Sequence, residues 1–168
     1  VDHYPLYQGY FENETFTVDT FTTNEVELIK DAVESWDDLS GLTLTYTDES
    51  SSGSHGDIRI IKSPLRADGI GLMPGTFDNE LDGTVLINSN YGTGTGNVDY
   101  FTSLVAHEVG HVLGLSHTHD SAGWSSTPAL FDNTYYSVMS YQDVFSNGAW
   151  LDGNTANLPF EGRVMPST

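Results

Sequence analysis

Three imidazoles and a carboxylate stand close together in the second half of this chain: His107, Glu108, His111 and His117. On a helix, residues four apart lie one above the other, so His107 and His111 face the same way and their ring nitrogens can grip one cation. Glu108 sits beside the first of them and is turned partly off that axis. It is too short to reach the ion easily, yet it can meet a water held there and take its proton. Gly114 stands where a helix would stop, and His117 follows three residues later, so the turned chain can bring a third imidazole from a loop. Three nitrogens with a fourth position left to water make an open catalytic site, whereas the stretch His107–His111 alone could be a polar helix face.

The run His107-Glu108-Val109-Gly110-His111-Val112-Leu113-Gly114-Leu115-Ser116-His117 resembles the extended zinc signature of the metzincin peptidases at every defined position. Downstream, Tyr136-Ser137-Val138-Met139-Ser140-Tyr141 is similar to the Met-turn of that clan, and its Ser-Val-Met-Ser-Tyr wording is similar to the serralysins in particular. The resemblance implies zinc on His107, His111 and His117, Glu108 as general base, and Met139 as an apolar floor beneath the ion. It also implies that Tyr141 is a phenol beside the metal, an additional ligand at rest and a support for the oxyanion during turnover. A tyrosine is otherwise most often a core or surface aromatic, but its offset of two from Met139 is the family's own. Upstream, Gly69-Ile70-Gly71-Leu72-Met73-Pro74 and Gly83 to Asn88 are similar to the edge strand and its neighbour in serralysins. Gly69, Ile70, Gly71, Leu72 and Met73 would then hold an extended substrate through backbone hydrogen bonds; the plainer alternative is a strand with no ligand.

Several elements must position these residues. From Asn24 to Leu39 the apolar stripe Val26, Ile29, Val33, Trp36 predicts an amphipathic helix, with Thr22 and Glu25 spaced as a capping box and Gly41 ending it. Leu42 to Tyr46 alternates as a half-buried strand does, Asp48 to Gly56 reads as a polar loop, and Asp57 to Ile61 reads as a buried strand. Thr84 to Asn88 predicts another strand, Gly92 to Asn97 is punctuation with no phosphate-loop lysine, and Asp99 is placed to cap a helix from about Tyr100 to Leu113. From Leu115 onward regular patterning fades.

Composition narrows the function classes. Five Lys and Arg against 24 Asp and Glu give a formal charge of -19, a field that repels nucleic acid and anionic membranes. With no cysteine, disulfides, thiol catalysis and Cys-ligated zinc are excluded, so any metal must sit on His, Asp, Glu or Tyr. No apolar stretch is long enough to span a membrane. The opening Val1-Asp2-His3, without a leader, is what a processed form would show.

Weaker signals are read plainly. His3 and His119 are exposed polar residues. His55-Gly56-Asp57 resembles half of the structural zinc site of matrixins, but no later His completes it, so one zinc is expected. Asp78 to Gly83 copies the first half of a calcium loop, yet Ser89 stands where its bidentate carboxylate should be; an acidic turn is the first reading and Ca²⁺ a second candidate ion. Two departures from serralysins are the missing glycine-aspartate repeats and the chain's end at Thr168, where that family runs into a further helix.

The sequence therefore reads as one α+β domain of the metzincin, zincin-like type. The expected architecture is a twisted, mainly parallel sheet with an antiparallel edge strand, a backing helix, an active-site helix and an irregular C-terminal subdomain below the cleft. Residues 1–114 would form the upper subdomain and 115–168 the lower one with the Met-turn. The expected function is a secreted, extracellular, monomeric zinc endopeptidase acting on extended polypeptides, with a proteinaceous inhibitor as a further candidate partner and neither nucleic acid nor membrane. A propeptide is expected from the resemblance alone. The rivals are a zinc-binding adhesin module that has lost turnover, which the presence of Glu108 disfavours, and a hydrolase of non-peptide bonds, which the edge strand and Met-turn disfavour.

Overall fold

The computed structural model describes residues 17–48, 56–75, 82–92, 98–119 and 132–142. The first helix, α1, runs Thr23–Ser40. Its start is fixed locally: the Glu25 N–H donates to Thr22 Oγ1 at 3.3 Å, and the Thr22 N–H donates to the Glu25 carboxylate at 2.8 Å, which is the capping box the spacing predicted. Its end is fixed by Gly41 at φ 69, whose N–H returns to the Asp37 carbonyl. Ile29, Ala32 and Trp36 are buried, while Val26 and Val33 are half-buried, so the core face is rotated slightly from the predicted stripe.

That rotation buries Glu25 as well, at 2% exposure. Lys62 meets it there, its Nζ lying 2.9 and 3.0 Å from the two carboxylate oxygens. Burial alone raises the Glu25 pKa; the Thr22 N–H and the Lys62 ammonium outweigh it and hold the carboxyl below its usual value. The pair ties α1 to the sheet at its outer strand.

Three described strands form a mixed sheet in the order β1-β3-β2. β1 (Arg59–Ser63) runs parallel to β3 (Thr84–Asn88), and β2 (Gly69–Gly71) runs antiparallel to β3 on its other side. β3 is buried at all five positions, as a central strand of continuous apolar pattern should be. The antiparallel edge strand is present; the described sheet is otherwise mixed, with one parallel and one antiparallel pairing. β1 begins two residues later than the apolar run suggested. Its register starts opposite Thr84, after the left-handed turn at Gly83 (φ 86), where a Cβ would lie 2.4 Å from the Asp57 carbonyl.

Leu42 to Tyr46 is not a strand. The Leu42 N–H goes to Ser40 Oγ and the Leu44 N–H to the Asp37 carboxylate, so side chains have taken bonds that a ladder would need. Leu42 and Tyr46 are exposed, and Tyr46 lies under the Lys30 ammonium at 4.5 Å.

The second helix, α2, spans Val98–Val112, and every residue from Phe101 to Val112 is buried. Asp99 lies in its first turn rather than before it, and there its carbonyl accepts from Ser103 Oγ. α1 and the sheet both pack against this helix, and the Trp36 indole N–H donates to the Ala106 carbonyl at 2.9 Å. The Met139 loop and Trp36 of α1 meet the helix together at Gly110, where a Cβ would lie 2.5 Å from Met139 Sδ and 3.0 Å from Trp36. β2 lies as close: a Cβ on Gly71 would sit 2.2 Å from the Glu108 carbonyl oxygen.

Glu25→Gln keeps the capping geometry but leaves the Lys62 ammonium buried without its counter-charge, and should cost roughly 3 kcal/mol in urea unfolding. Adding Lys62→Met should cost less than the sum of the two changes. Because the folded carboxyl lies below its unfolded value of 4.5, the wild-type contribution is full above that pH and is lost as the pH falls through the folded value. Gly71→Ala must push β2 off α2 and should lower stability by roughly 1–3 kcal/mol in the same measurement.

Candidate metal centre

α2 ends in a Schellman turn: the Gly114 N–H donates to the His111 carbonyl at 2.9 Å and the Leu115 N–H to the Gly110 carbonyl at 3.0 Å, with Gly114 at φ 97. The reversal brings His117 back beneath the helix. His111 Nε2 then lies 3.1 Å from His107 Nε2 and 3.0 Å from His117 Nε2. Nitrogens bound tetrahedrally at about 2.0–2.1 Å from one ion are about 3.3 Å apart, so the three are spaced to share a single cation.

The backbone sets which nitrogen faces inward. His107 Nδ1 donates to the Val138 carbonyl at 2.7 Å, and His111 Nδ1 donates to the Leu115 carbonyl at 2.8 Å. Each ring therefore turns an Nε2 lone pair toward the centre, the arrangement a zinc ligand requires. Burial lowers the His107 pKa to about 4, against the opposing pull of the Val138 carbonyl, with His111 and His117 adding to the lowering. The ring is thus neutral and ready to ligate without losing a proton at pH 7.

Glu108 is 5% exposed and lies next to this centre. Its carboxyl is pushed up to about 7, chiefly by burial, against a hydrogen bond from the Gly71 backbone and with a small contribution from Asp68. A carboxyl poised near neutrality suits proton transfer in both directions. A Cβ on Gly69 would touch the Glu108 side chain at 2.8 Å, so the start of β2 lies against this carboxyl.

The remaining sequence-predicted residues meet at the same place. Tyr141 is 63% exposed, with its ring 5.1 Å from that of His107 and 4.4 Å from that of His117. Met139 is buried under Gly110, and its loop is held by Asp132, whose Oδ1 accepts from Ser140 Oγ at 2.7 Å and from Thr118 Oγ1. Gly69, Ile70 and Gly71 form β2, and Leu72 extends the pairing through bonds with Thr84 and Gly83, while Met73 lies beyond it. His3, His55 and Asp78 to Leu81 fall outside the described residues, and with them the readings of a second zinc and a calcium turn.

Other contributors were not predicted. His119 is exposed, yet its ring stacks on that of His117 at 5.1 Å and lies 5.4 Å from that of Tyr141. A cavity of about 410 Å³ beside Glu108 is lined by Asp68, Tyr100, Ser103, Leu104 and Tyr141 among others. Tyr100, Ser103 and Leu104 precede His107 by seven, four and three residues, so helical periodicity could have placed them on its face. Nothing in the spacing marks Asp68.

Residues 9–118 match the reprolysin-like metallopeptidase family M12B. The metalloprotease AprA of Pseudomonas entomophila is 34% identical over 138 residues, covering 74% of this chain and 26% of that protein. Serralysin C of Dickeya chrysanthemi is 24% identical over 83% of this chain and 31% of its own length, and serralysin of Proteus mirabilis 24% over 93% and 36%. The chain thus spans about a quarter to a third of these relatives. The family implies zinc, and the three histidines can hold it. Carrying this triad within the matched segment, the chain belongs to the reprolysin-like metallopeptidases and is a serralysin-like metzincin domain.

Proposed function

We propose that this chain is a zinc-dependent endopeptidase hydrolysing extended polypeptides, with His107, His111 and His117 as ligands, Glu108 as general base and Tyr141 as oxyanion support. The observation that carries the proposal is the convergence of three things at one point: the histidine nitrogens, the Glu108 carboxyl, and an edge strand whose Gly71 N–H donates to that carboxyl. β2 pairs with β3 on one side only among the described residues. A substrate laid along its other side gains backbone bonds independent of sequence, and its scissile carbonyl is thereby carried to the histidines.

His107, His111 and His117 would hold the zinc, which when bound would supply Lewis acidity and lower the pKa of water from 15.7 toward about 7. Glu108 accepts a proton from the attacking water and returns one to the leaving amine. Burial raises its proton affinity and a cation on the adjacent histidines would lower it, so the carboxyl is placed between opposing influences that let it take up and release a proton. The Tyr141 phenol, exposed and against the rings of His107 and His117, donates to the oxygen on which charge develops. Met139 and Val138 close the floor, and the Val138 carbonyl keeps His107 in its ligating tautomer. Residues 1–114 and 115–168 are taken as the upper and lower subdomains, with the cleft between them. By its likeness to the serralysins, we take the protein to act outside the cell, as a monomer, on protein substrates.

Purified protein should cleave denatured casein, lose activity to a chelator and regain it with zinc. Glu108→Ala should lower the rate at least about 10²-fold at unchanged zinc content. One zinc per chain with no cleavage by either form would replace this reading with that of a zinc-binding module without turnover. Tyr141→Phe should lower kcat about 10²-fold with little change in KM, since it removes a donor used in the transition state.

A further inference from the structure

The cavity beside Glu108 holds a carboxylate that the hydrolytic mechanism does not use. Asp68 immediately precedes β2, and its position is set from several directions. Its carbonyl accepts from the Asn88 N–H at 2.9 Å, while Asn88 Nδ2 donates to the carbonyls of Leu65 at 2.8 Å and Ala67 at 2.9 Å. Its side chain accepts hydrogen bonds from the phenols of Tyr100 and Tyr91, whose rings lie 5.5 Å apart. Burial first, and then Asp68, raises the Tyr100 pKa, and the bond to Asp68 raises that of Tyr91, so both phenols stay donors.

Two neutral donors orient this carboxylate without cancelling its charge, and among the described residues no Lys or Arg pairs with it. A carboxylate offers about four acceptor positions, so two phenols leave room for another donor. It lines a cavity of about 410 Å³ together with Leu104, His107 and Glu108. Low-dielectric walls focus such a field, and a cation with an apolar stem matches Leu104 along its length and Asp68 at its tip.

We infer that Asp68 is a specificity-determining residue that selects an arginine or lysine side chain at one of the two substrate positions flanking the scissile bond. The inference rests on the proteolytic reading above and adds a preference to it. Ser103, on the same helix and lining the same cavity, gives its hydroxyl proton to the Asp99 carbonyl and keeps its oxygen lone pairs to accept from the same head group. The protein's overall charge of -19 also draws in cationic peptides, but that attraction does not depend on which peptide position carries the cation.

The test uses zinc-loaded wild-type protein and a fluorogenic peptide that carries arginine or its neutral isostere citrulline at each flanking position in turn, with casein cleavage run alongside. At one position arginine should raise kcat/KM roughly tenfold over citrulline, the scale of one charge-assisted bond. In Asp68→Asn, with zinc content and circular dichroism unchanged, the ratio should fall to within about twofold of unity. Equal rates for arginine and citrulline at both positions, while casein is still cleaved, would overturn the inference and leave the peptidase reading intact. An arginine preference that survives in Asp68→Asn, or that is equal at both positions, would also overturn it, assigning selectivity to the general field. If neither casein nor any peptide is cut, the proteolytic reading itself fails.

Discussion

The site depends on how closely α2 is held between the sheet and the Met139 loop. Three imidazole nitrogens must come within about 3.3 Å of one another to share an ion, and two of them ride on a helix that cannot adjust independently. The approach is set by glycines: at Gly71 the strand backbone touches the Glu108 carbonyl, and at Gly110 the helix receives Met139 and Trp36 where any side chain would intrude. A helix buried from Phe101 to Val112 has few packing alternatives. Its rigidity passes to His107, His111 and Glu108, and only His117 and Tyr141 arrive from irregular chain.

Those two arrivals are fixed by hydrogen bonds more than by apolar packing. The turn at Gly114 sends the chain under the helix, Leu115 returns its carbonyl to His111, and Val138 gives its carbonyl to His107. Asp132 then joins the segment after His117 to the Met139 loop through Thr118 and Ser140. Each ligand histidine on α2 is therefore oriented by a backbone group of the loop region it faces, so loop position and ring tautomer are set together. Burial acts on the same residues with opposite sign, lowering the His107 pKa to about 4 and raising that of Glu108 to about 7, because it disfavours charge on either. A divalent cation held by His107, His111 and His117 would reverse that logic for the carboxyl alone, drawing Glu108 toward its ionised form while the imidazoles stayed neutral.

What could be read from the sequence was what is short-range. The capping box at Thr22 and Glu25, the stop at Gly41, the strand Thr84–Asn88 and the turn at Gly114 all follow from spacings of a few residues, and all are present. The histidine constellation is equally local, because the eleven residues of helix and turn from His107 to His117 determine it. The strand expected over Leu42 to Tyr46 failed because alternation reports a fit to a sheet without supplying a neighbour, and Ser40 and Asp37 offered nearer hydrogen-bond partners. β1 moved by two residues for a related reason: the turn at Gly83, not its own hydrophobic run, set its register.

Charged residues were hardest to place, since their positions answer to partners far along the chain. Glu25 read as part of a cap and a polar face, and it is also the inner half of an ion pair with Lys62, 37 residues away. Asp68 read as nothing, although 32 residues later Tyr100 donates to it. In a chain with 24 acidic residues the pattern cannot say which carboxylates are surface and which are aimed. Donors decide that: Glu25 is matched by an ammonium and becomes structural, whereas Asp68 is oriented by phenols that leave its charge intact. A carboxylate held in place by neutral donors, lining a cavity with the buried Glu108, keeps acceptor positions for a further donor.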